Sequence, residues 1–164
     1  MQAHFLSPEQ LCEPDNFSKN VGDVGRMQLV IMPINNANHY GGGSHWGCLI
    51  YVRGLHQFRY YDSMRRSGNA QVAKGLAEKF SKALQAEGAA FVEETDAPQQ
   101  ENCHDCGVFA MIVGEICARF FHATGAMPGT ADIANRVLTG ARVPQTRVAA
   151  AERAQQVRKE HAAS

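Results

Sequence analysis

Gln100-Glu101-Asn102-Cys103-His104-Asp105-Cys106-Gly107 runs without a break into the apolar segment Val108-Phe109-Ala110-Met111-Ile112-Val113. The apolar run from Cys106 to Phe121 covers nearly every face of a helix, which predicts a central helix packed in the interior. A cysteine at the first position of such a helix has its sulfur at the positive end of the helix dipole, where a thiolate is favoured over a thiol. A lone cysteine at a helix start is most often structural. Here a histidine and an aspartate upstream, His45 and Asp62, have the residue types that would complete a catalytic set.

The segments between them predict how those two residues meet. Met27 to Ile34 reads as a buried strand, with Pro33 expected to end the sheet pairing. Asn35 to Ser44 is a glycine-rich loop. Trp46 to Arg53 and His56 to Asp62 are β-rich runs separated by Gly54-Leu55, which suits a two-residue type II′ hairpin. In that register Arg53 faces His56, Asp62 sits opposite Gly47, and His45 is its diagonal neighbour on the same face. Diagonal Cβ atoms lie ~7–8 Å apart, within reach of a histidine and an aspartate leaning together. A loop of odd length would put them on opposite faces.

Each residue type has a chemical role to fill. Cys106 would be the nucleophile. His45 would take the thiol proton and return one to a leaving amine. Asp62 would fix the imidazole tautomer and stabilise its charged form. Gln100, six residues before the cysteine, would aim its amide at the developing oxyanion, with the Cys106 backbone N–H as second donor.

The rest of the chain frames this site. Ser7-Pro8-Glu9-Gln10 predicts a short helix start. Ser67 to Glu87 carries Val72, Leu76, Phe80 and Leu84 at four-residue spacing and predicts an amphipathic helix, with Asn69 as cap and Gly88 as stop. Ala89 to Glu93 is a further strand and Ala131 to Leu138 a small helix. Residues 145–163 read as an exposed helical tail. The expected division is one domain over 1–140, with a tail over 141–164.

Sixteen Lys plus Arg balance sixteen Asp plus Glu, so no net charge draws the chain to nucleic acid or an anionic membrane. No apolar run is expected to reach the ~18–20 residues that span a bilayer, and the N-terminus lacks the pattern of a signal peptide. Five cysteines without framework spacing fit a reducing compartment, cytosol or nucleus, with Cys48 and Cys117 as buried small hydrophobes. Cys103-x-x-Cys106 also raises a dithiol oxidoreductase, but the helix starts at the second cysteine rather than the first. It also allows a reversible disulfide that shields Cys106. A zinc site would need two further ligands, for which His104, Cys12 and His4 are loose candidates. No cofactor or metal is expected.

His45-Trp46, then Tyr60-Tyr61-Asp62-Ser63, then Gln100-x-Asn102-x-x-Asp105-Cys106-Gly107 resemble the ubiquitin-like-protein-specific cysteine proteases, the Ulp/sentrin protease group. Ile34-Asn35-Asn36-Ala37-Asn38, Phe91-Val92-Glu93-Glu94 and Ala97-Pro98-Gln99-Gln100 are most similar to its deneddylating branch. Cys103-His104 stands where the family has a small residue and tyrosine. The resemblance covers roughly residues 5 to 122 and implies a papain-like α+β fold, in which a mixed sheet carries His45 and Asp62 and packs against the Cys106 helix. It implies cleavage after the C-terminal Gly-Gly of a ubiquitin-like modifier, the neddylation modifier first, with conjugates such as cullins as partners and a monomeric enzyme. Trp46 would lid the tunnel that takes the two glycines. Asn35, Asn38, Gly42 and Gly43 in loop 35–44 would contact the modifier's tail. Relative to the family the chain is expected to be short at its N-terminus. A desumoylating protease and a binding module without strong catalysis are the alternatives.

Overall fold

In the computed structural model, the described residues are 24–36, 43–65 and 67–138, with 152. Four strands form one mixed sheet in the order β1-β2-β3-β4: β1 Leu29–Asn35, β2 Trp46–Val52, β3 Gln57–Tyr61 and β4 Ala90–Glu93. β1, β2 and β3 pair antiparallel, and β4 joins β3 in parallel. The parallel pair needs a crossover, supplied by helix α1, Asn69–Ser81. Helices α2, Cys106–Thr124, and α3, Thr130–Leu138, follow.

β2 explains the layering. Its sequence WGCLIYV is apolar at successive positions because both faces are covered, so Leu49 and Tyr51 point into one core and Cys48, Ile50 and Val52 into the other. The first core joins Phe58 and Tyr60 of β3 to Ala73, Ala77, Phe80 and Leu84 of the α1 segment. The second joins Tyr61 to Phe109, Ile112, Val113 and Ile116 of α2 and to Ile133 and Val137 of α3. Burying each of the larger aliphatic side chains contributes about 1.5–3 kcal/mol, which makes α2 a central element.

α2 has 19 residues and is by length and composition apolar enough to cross a bilayer, contrary to the expectation that no segment is. Its apolarity is accounted for by packing against β1 and β2. One side is open, with Met111 exposed and Glu115 pairing with Arg119 at 2.8 Å.

Four local expectations are corrected. Pro33 does not end the pairing, which continues to Asn35↔Trp46; β1 is an edge strand, where a missing N–H is tolerated. The β2–β3 connection is a 3-10 turn, Arg53–Leu55, closed by left-handed His56 (φ 51°, ψ 49°), and not a two-residue II′ turn with Gly54 at positive φ. The pairing on either side is the expected one, with Val52↔Gln57 and Cys48↔Tyr61, because the loop grew by an even number of residues. α1 starts after Gly68 (φ 77°) and ends at Ser81, so Asn69 is a buried first-turn residue and not the cap. Val72 is exposed, since a strict four-residue row drifts around the helix and Ala73 and Ala77 face the core in its place. The predicted helix at Ser7 and almost all of the 145–163 tail lie outside the described residues.

Candidate active site

The loop before α2 is shaped by one asparagine. Asn102 Oδ1 accepts the backbone N–H groups of His104 (3.0 Å) and Asp105 (2.9 Å), and its amide donates to Asp105 Oδ2 (2.6 Å). This turn delivers Asp105 to the N-cap, where its carbonyl accepts the Phe109 N–H at 2.9 Å. Cys106 is therefore the first residue of α2, and it is 5% exposed. The free N–H groups of the first turn give the helix end that carries it a positive partial charge.

The indole of Trp46 reaches the same helix start: a Cβ on Gly107 would lie 3.5 Å from Trp46 Cδ1. Trp46 itself is 40% exposed. That contact brings the His45-Trp46 step at the head of β2 against the Cys106-Gly107 step at the head of α2. Asn36 fixes the backbone there, its Oδ1 accepting from Ser44 N (2.8 Å) and His45 N (3.0 Å).

His45 is buried, and its Nε2 lies 2.6 Å from Asp62 Oδ1. The diagonal geometry read from the hairpin register is realised. A carboxylate can only accept, so Nε2 carries the hydrogen, and in the neutral ring the lone pair is on Nδ1. Nδ1 is buried and makes no hydrogen bond. The Asp62 carboxylate also accepts from Met64 N (2.8 Å), Tyr60 OH (2.7 Å) and Ser67 Oγ (2.5 Å). Burial, then the hydrogen bond to Asp62, push the Tyr60 phenol well above its ordinary range, so it is a donor throughout neutral pH.

Gln100 is tied to the residue after Asp62. Ser63 Oγ donates to Gln100 Oε1 at 2.6 Å, and Ser63 O accepts the Gln100 N–H at 2.8 Å. The Gln100 amide donates to Asn102 O, leaving its second N–H uncommitted among these contacts. Gln99 completes the strap, its amide donating to Asp62 O (3.0 Å) and Ala97 O (2.8 Å). A shallow crevice runs between Trp46, Asp62, Pro98 and Phe109.

The remaining expected residues separate. Asn35 pairs with Trp46 at the end of β1, and Gly43 is exposed. Asn38 and Gly42 lie outside the described residues, as do Cys12 and His4. Cys103 is exposed while Cys106 is buried. No metal-holding cluster occurs among the described residues. Cys48 and Cys117 are buried as expected; burial first, then the charge of Cys117, raises the Cys48 thiol, and burial raises Cys117 to about 12. Neither core thiol is a nucleophile at neutral pH.

Sequence reasoning did not assign roles to Asn36, Gly47, Tyr60, Ser67 or Gln99. The available signal was parity: Tyr60 shares a strand face with Asp62. The other contacts depend on loop conformation.

A profile of the Ulp1 protease family, C-terminal catalytic domain, matches residues 10–156. Human sentrin-specific protease 8 is 41% identical over 103 residues, covering 60% of this chain and 48% of the human protein. NEDD8-specific protease 1 of Arabidopsis thaliana is 34% identical over 100 residues, covering 59% of this chain and 44% of the plant protein. The chain thus spans about half the length of the curated relatives it matches. Among solved structures, the Chaetomium thermophilum Ulp1-like SUMO protease catalytic domain superposes with TM-score 0.51 at 23% identity, covering 87% of this chain and 55% of that one. The SUMO protease Ulp1 with its catalytic cysteine oxidized to a sulfinic acid gives 0.50 at 19% identity, covering 72% and 52%. These likenesses agree with the expected papain-like α+β fold.

Proposed function

The chain belongs to the Ulp1 protease family, matching its C-terminal catalytic domain, a family of cysteine proteases, and on that premise we propose that it cleaves after the C-terminal Gly-Gly of a ubiquitin-like modifier. The observation that carries this reading is His45: its Nε2 is held by Asp62 at 2.6 Å, while its buried Nδ1 has no partner. A base so oriented beside a helix that opens on cysteine suits thiol activation.

In the proposed reaction His45 Nδ1 takes the Cys106 proton, and the sulfur attacks the carbonyl carbon of the terminal glycine. The second N–H of the Gln100 amide and the Cys106 backbone N–H receive the developing oxyanion. His45 then protonates the leaving amine, and water attacks the thioester to release the glycine carboxylate. Trp46, lying over Gly107, would cover the tail. Only residues without Cβ allow a backbone to pass so closely. Gly43, Asn35, Asn38 and Gly42 would contact the modifier upstream of its two glycines.

The neddylation modifier is the preferred substrate, because the 34%-identical relative from Arabidopsis thaliana is named a NEDD8-specific protease. SUMO is the alternative, supported by neighbours whose identity is below 25%. Neddylation-modifier, SUMO and ubiquitin probes carrying a C-terminal electrophile test the choice. Adduct formation first and fastest with the neddylation modifier is expected. Reaction with SUMO alone would overturn the deneddylase reading and keep the protease.

A further inference from the structure

Asp62 accepts from donors on both oxygens: His45 Nε2 and Met64 N on Oδ1, Tyr60 OH and Ser67 Oγ on Oδ2. The last two have no part in the reaction above. Tyr60 lies on β3, two positions before Asp62 at the strand's exit, so both side chains leave the same face of the chain. The ring is fully buried, and its hydroxyl ends 2.7 Å from Oδ2.

The strand alongside makes room for it. One step beyond the Cys48↔Tyr61 pair is Gly47. A Cβ there would lie 2.5 Å from the Tyr60 oxygen and 2.7 Å from Cε2, closer than real contacts allow. Any other residue at position 47 therefore forces the phenol or the β2 backbone to shift, which disturbs the contact of the hydroxyl with the carboxylate. Core packing alone does not require this arrangement. The hydroxyls of Tyr51 and Tyr61 are also buried, and among the described residues neither makes a regular hydrogen bond, that of Tyr61 acting on the Cys117 thiol. That of Tyr60 ends on the residue that orients His45.

The start of α1 is joined to the same oxygen. Ser67 Oγ donates to Asp62 and accepts the Asn69 N–H at 3.1 Å. The Asn69 carboxamide is fully buried without a regular hydrogen bond of its own, and it acts on the Tyr60 hydroxyl. A carboxylate at a strand end can turn about two torsions. Donors fixed on Oδ2 by a strand and by a helix start remove that freedom and leave Oδ1 facing the imidazole.

We propose that Tyr60 is a positioning residue for the His45–Asp62 pair, and that position 47 is glycine in order to admit its hydroxyl to Oδ2. The inference rests on the reading of His45 and Asp62 as base and orienting acid. Tyr60→Phe is the informative variant, because it removes one oxygen and keeps the ring that stacks on Phe91 at 6.3 Å.

Three readouts are made on the full chain: kcat and KM on a fluorogenic Gly-Gly modifier substrate, the rate of Cys106 alkylation by iodoacetamide in a Cys103→Ser background, and the downfield proton resonance of His45 Nε2–H. The expected result is a fall in kcat of about tenfold with KM within about twofold. Alkylation slows in parallel, and the imidazole resonance shifts. Gly47→Ala, with Tyr60 retained, gives the same pattern; should it fail to fold, Tyr60→Phe decides alone. Unchanged kcat, alkylation and resonance in Tyr60→Phe overturn the inference while leaving the protease intact. Absence of any Cys106-dependent turnover in the parent chain counts against the protease reading instead, and the His45 resonance then still decides the role of Tyr60.

Discussion

His45 Nε2 lies 2.6 Å from Asp62 Oδ1, and the other ring nitrogen is buried with no partner. The two residues flank the open end of the β2–β3 hairpin, His45 just before β2 and Asp62 just after β3, so the sheet itself sets their separation. An imidazole held at one nitrogen and free at the other is prepared to accept a proton from a thiol.

Asp62→Asn keeps the shape and loses the acceptor. An amide facing Nε2 favours the wrong tautomer, which in serine-protease triads costs about 10⁴ in kcat. A loss of about 10³–10⁴ is expected here, measured as turnover of a Gly-Gly substrate. The variant also faces the Met64 N–H, Tyr60 and Ser67 hydroxyls with fewer acceptors, so its unfolding free energy should fall by about 1–3 kcal/mol. An active Asp62→Asn enzyme would remove the triad from the account.

Gln100 and Ser63 should act as a unit. Gln100→Ala deletes the proposed oxyanion donor and should lower kcat by about 10²–10³ with little change in KM. Ser63→Ala deletes only the hydroxyl that anchors Gln100 Oε1 at 2.6 Å, so a smaller loss, about tenfold, is expected. Single-turnover kinetics separate these effects from binding. Additive losses in the double variant would show that the Ser63 hydroxyl acts independently of Gln100.

How far the site was legible beforehand follows from which contacts depend on parity alone. The His45–Asp62 diagonal needs only the correct parity of the hairpin, and the alternation of β2 and β3 provides it. The turn itself was misread because Gly54 looked like the residue for a positive φ. That conformation falls on His56, whose ring Nε2 lies 3.2 Å from Glu87 O, a tertiary contact absent from any local pattern. Cys106 at the helix start was readable from the apolar run behind it. The clamp on Asp62 was not, because Ser67 and Asn69 reach it through the turn after β3, whose path no periodicity encodes. Asn36 escaped for the same reason: it binds the backbone at Ser44 and His45 across the glycine-rich loop.

Trp46 provides an intrinsic signal. It is the one tryptophan in the chain and is 40% exposed over Gly107. Saturation with a non-cleavable Gly-Gly tail should shift its emission to shorter wavelength, and Trp46→Ala should raise KM more than it lowers kcat. Emission that is unchanged under demonstrated saturation would remove Trp46 from the tail's path.

Stability should be sensitive to alkaline pH. Cys48 and Cys117 are raised from an ordinary 9.0, and Tyr60 and Tyr61 from 10.0, with burial the largest cause in each. The folded chain therefore keeps protons that the unfolded chain releases. Their contribution is fully present below about pH 9 and is lost as pH rises toward the folded values, by about 1.4 kcal/mol per pH unit for each group that titrates only in the unfolded state. Urea unfolding at pH 8 and pH 10.5 should show the fall, and Cys48→Ala should reduce its slope by about one proton. A pH-independent midpoint across this range would contradict the burial of these groups.

The central claim is that Cys106 performs the chemistry on a Gly-Gly tail. The most direct measurement is intact-protein mass spectrometry after incubation with the neddylation modifier bearing a C-terminal electrophile, followed by peptide mapping. The account predicts one covalent adduct on Cys106, abolished in Cys106→Ala and strongly slowed in His45→Ala. Tight binding with no adduct, or an adduct on Cys103 that survives Cys106→Ala, would contradict it.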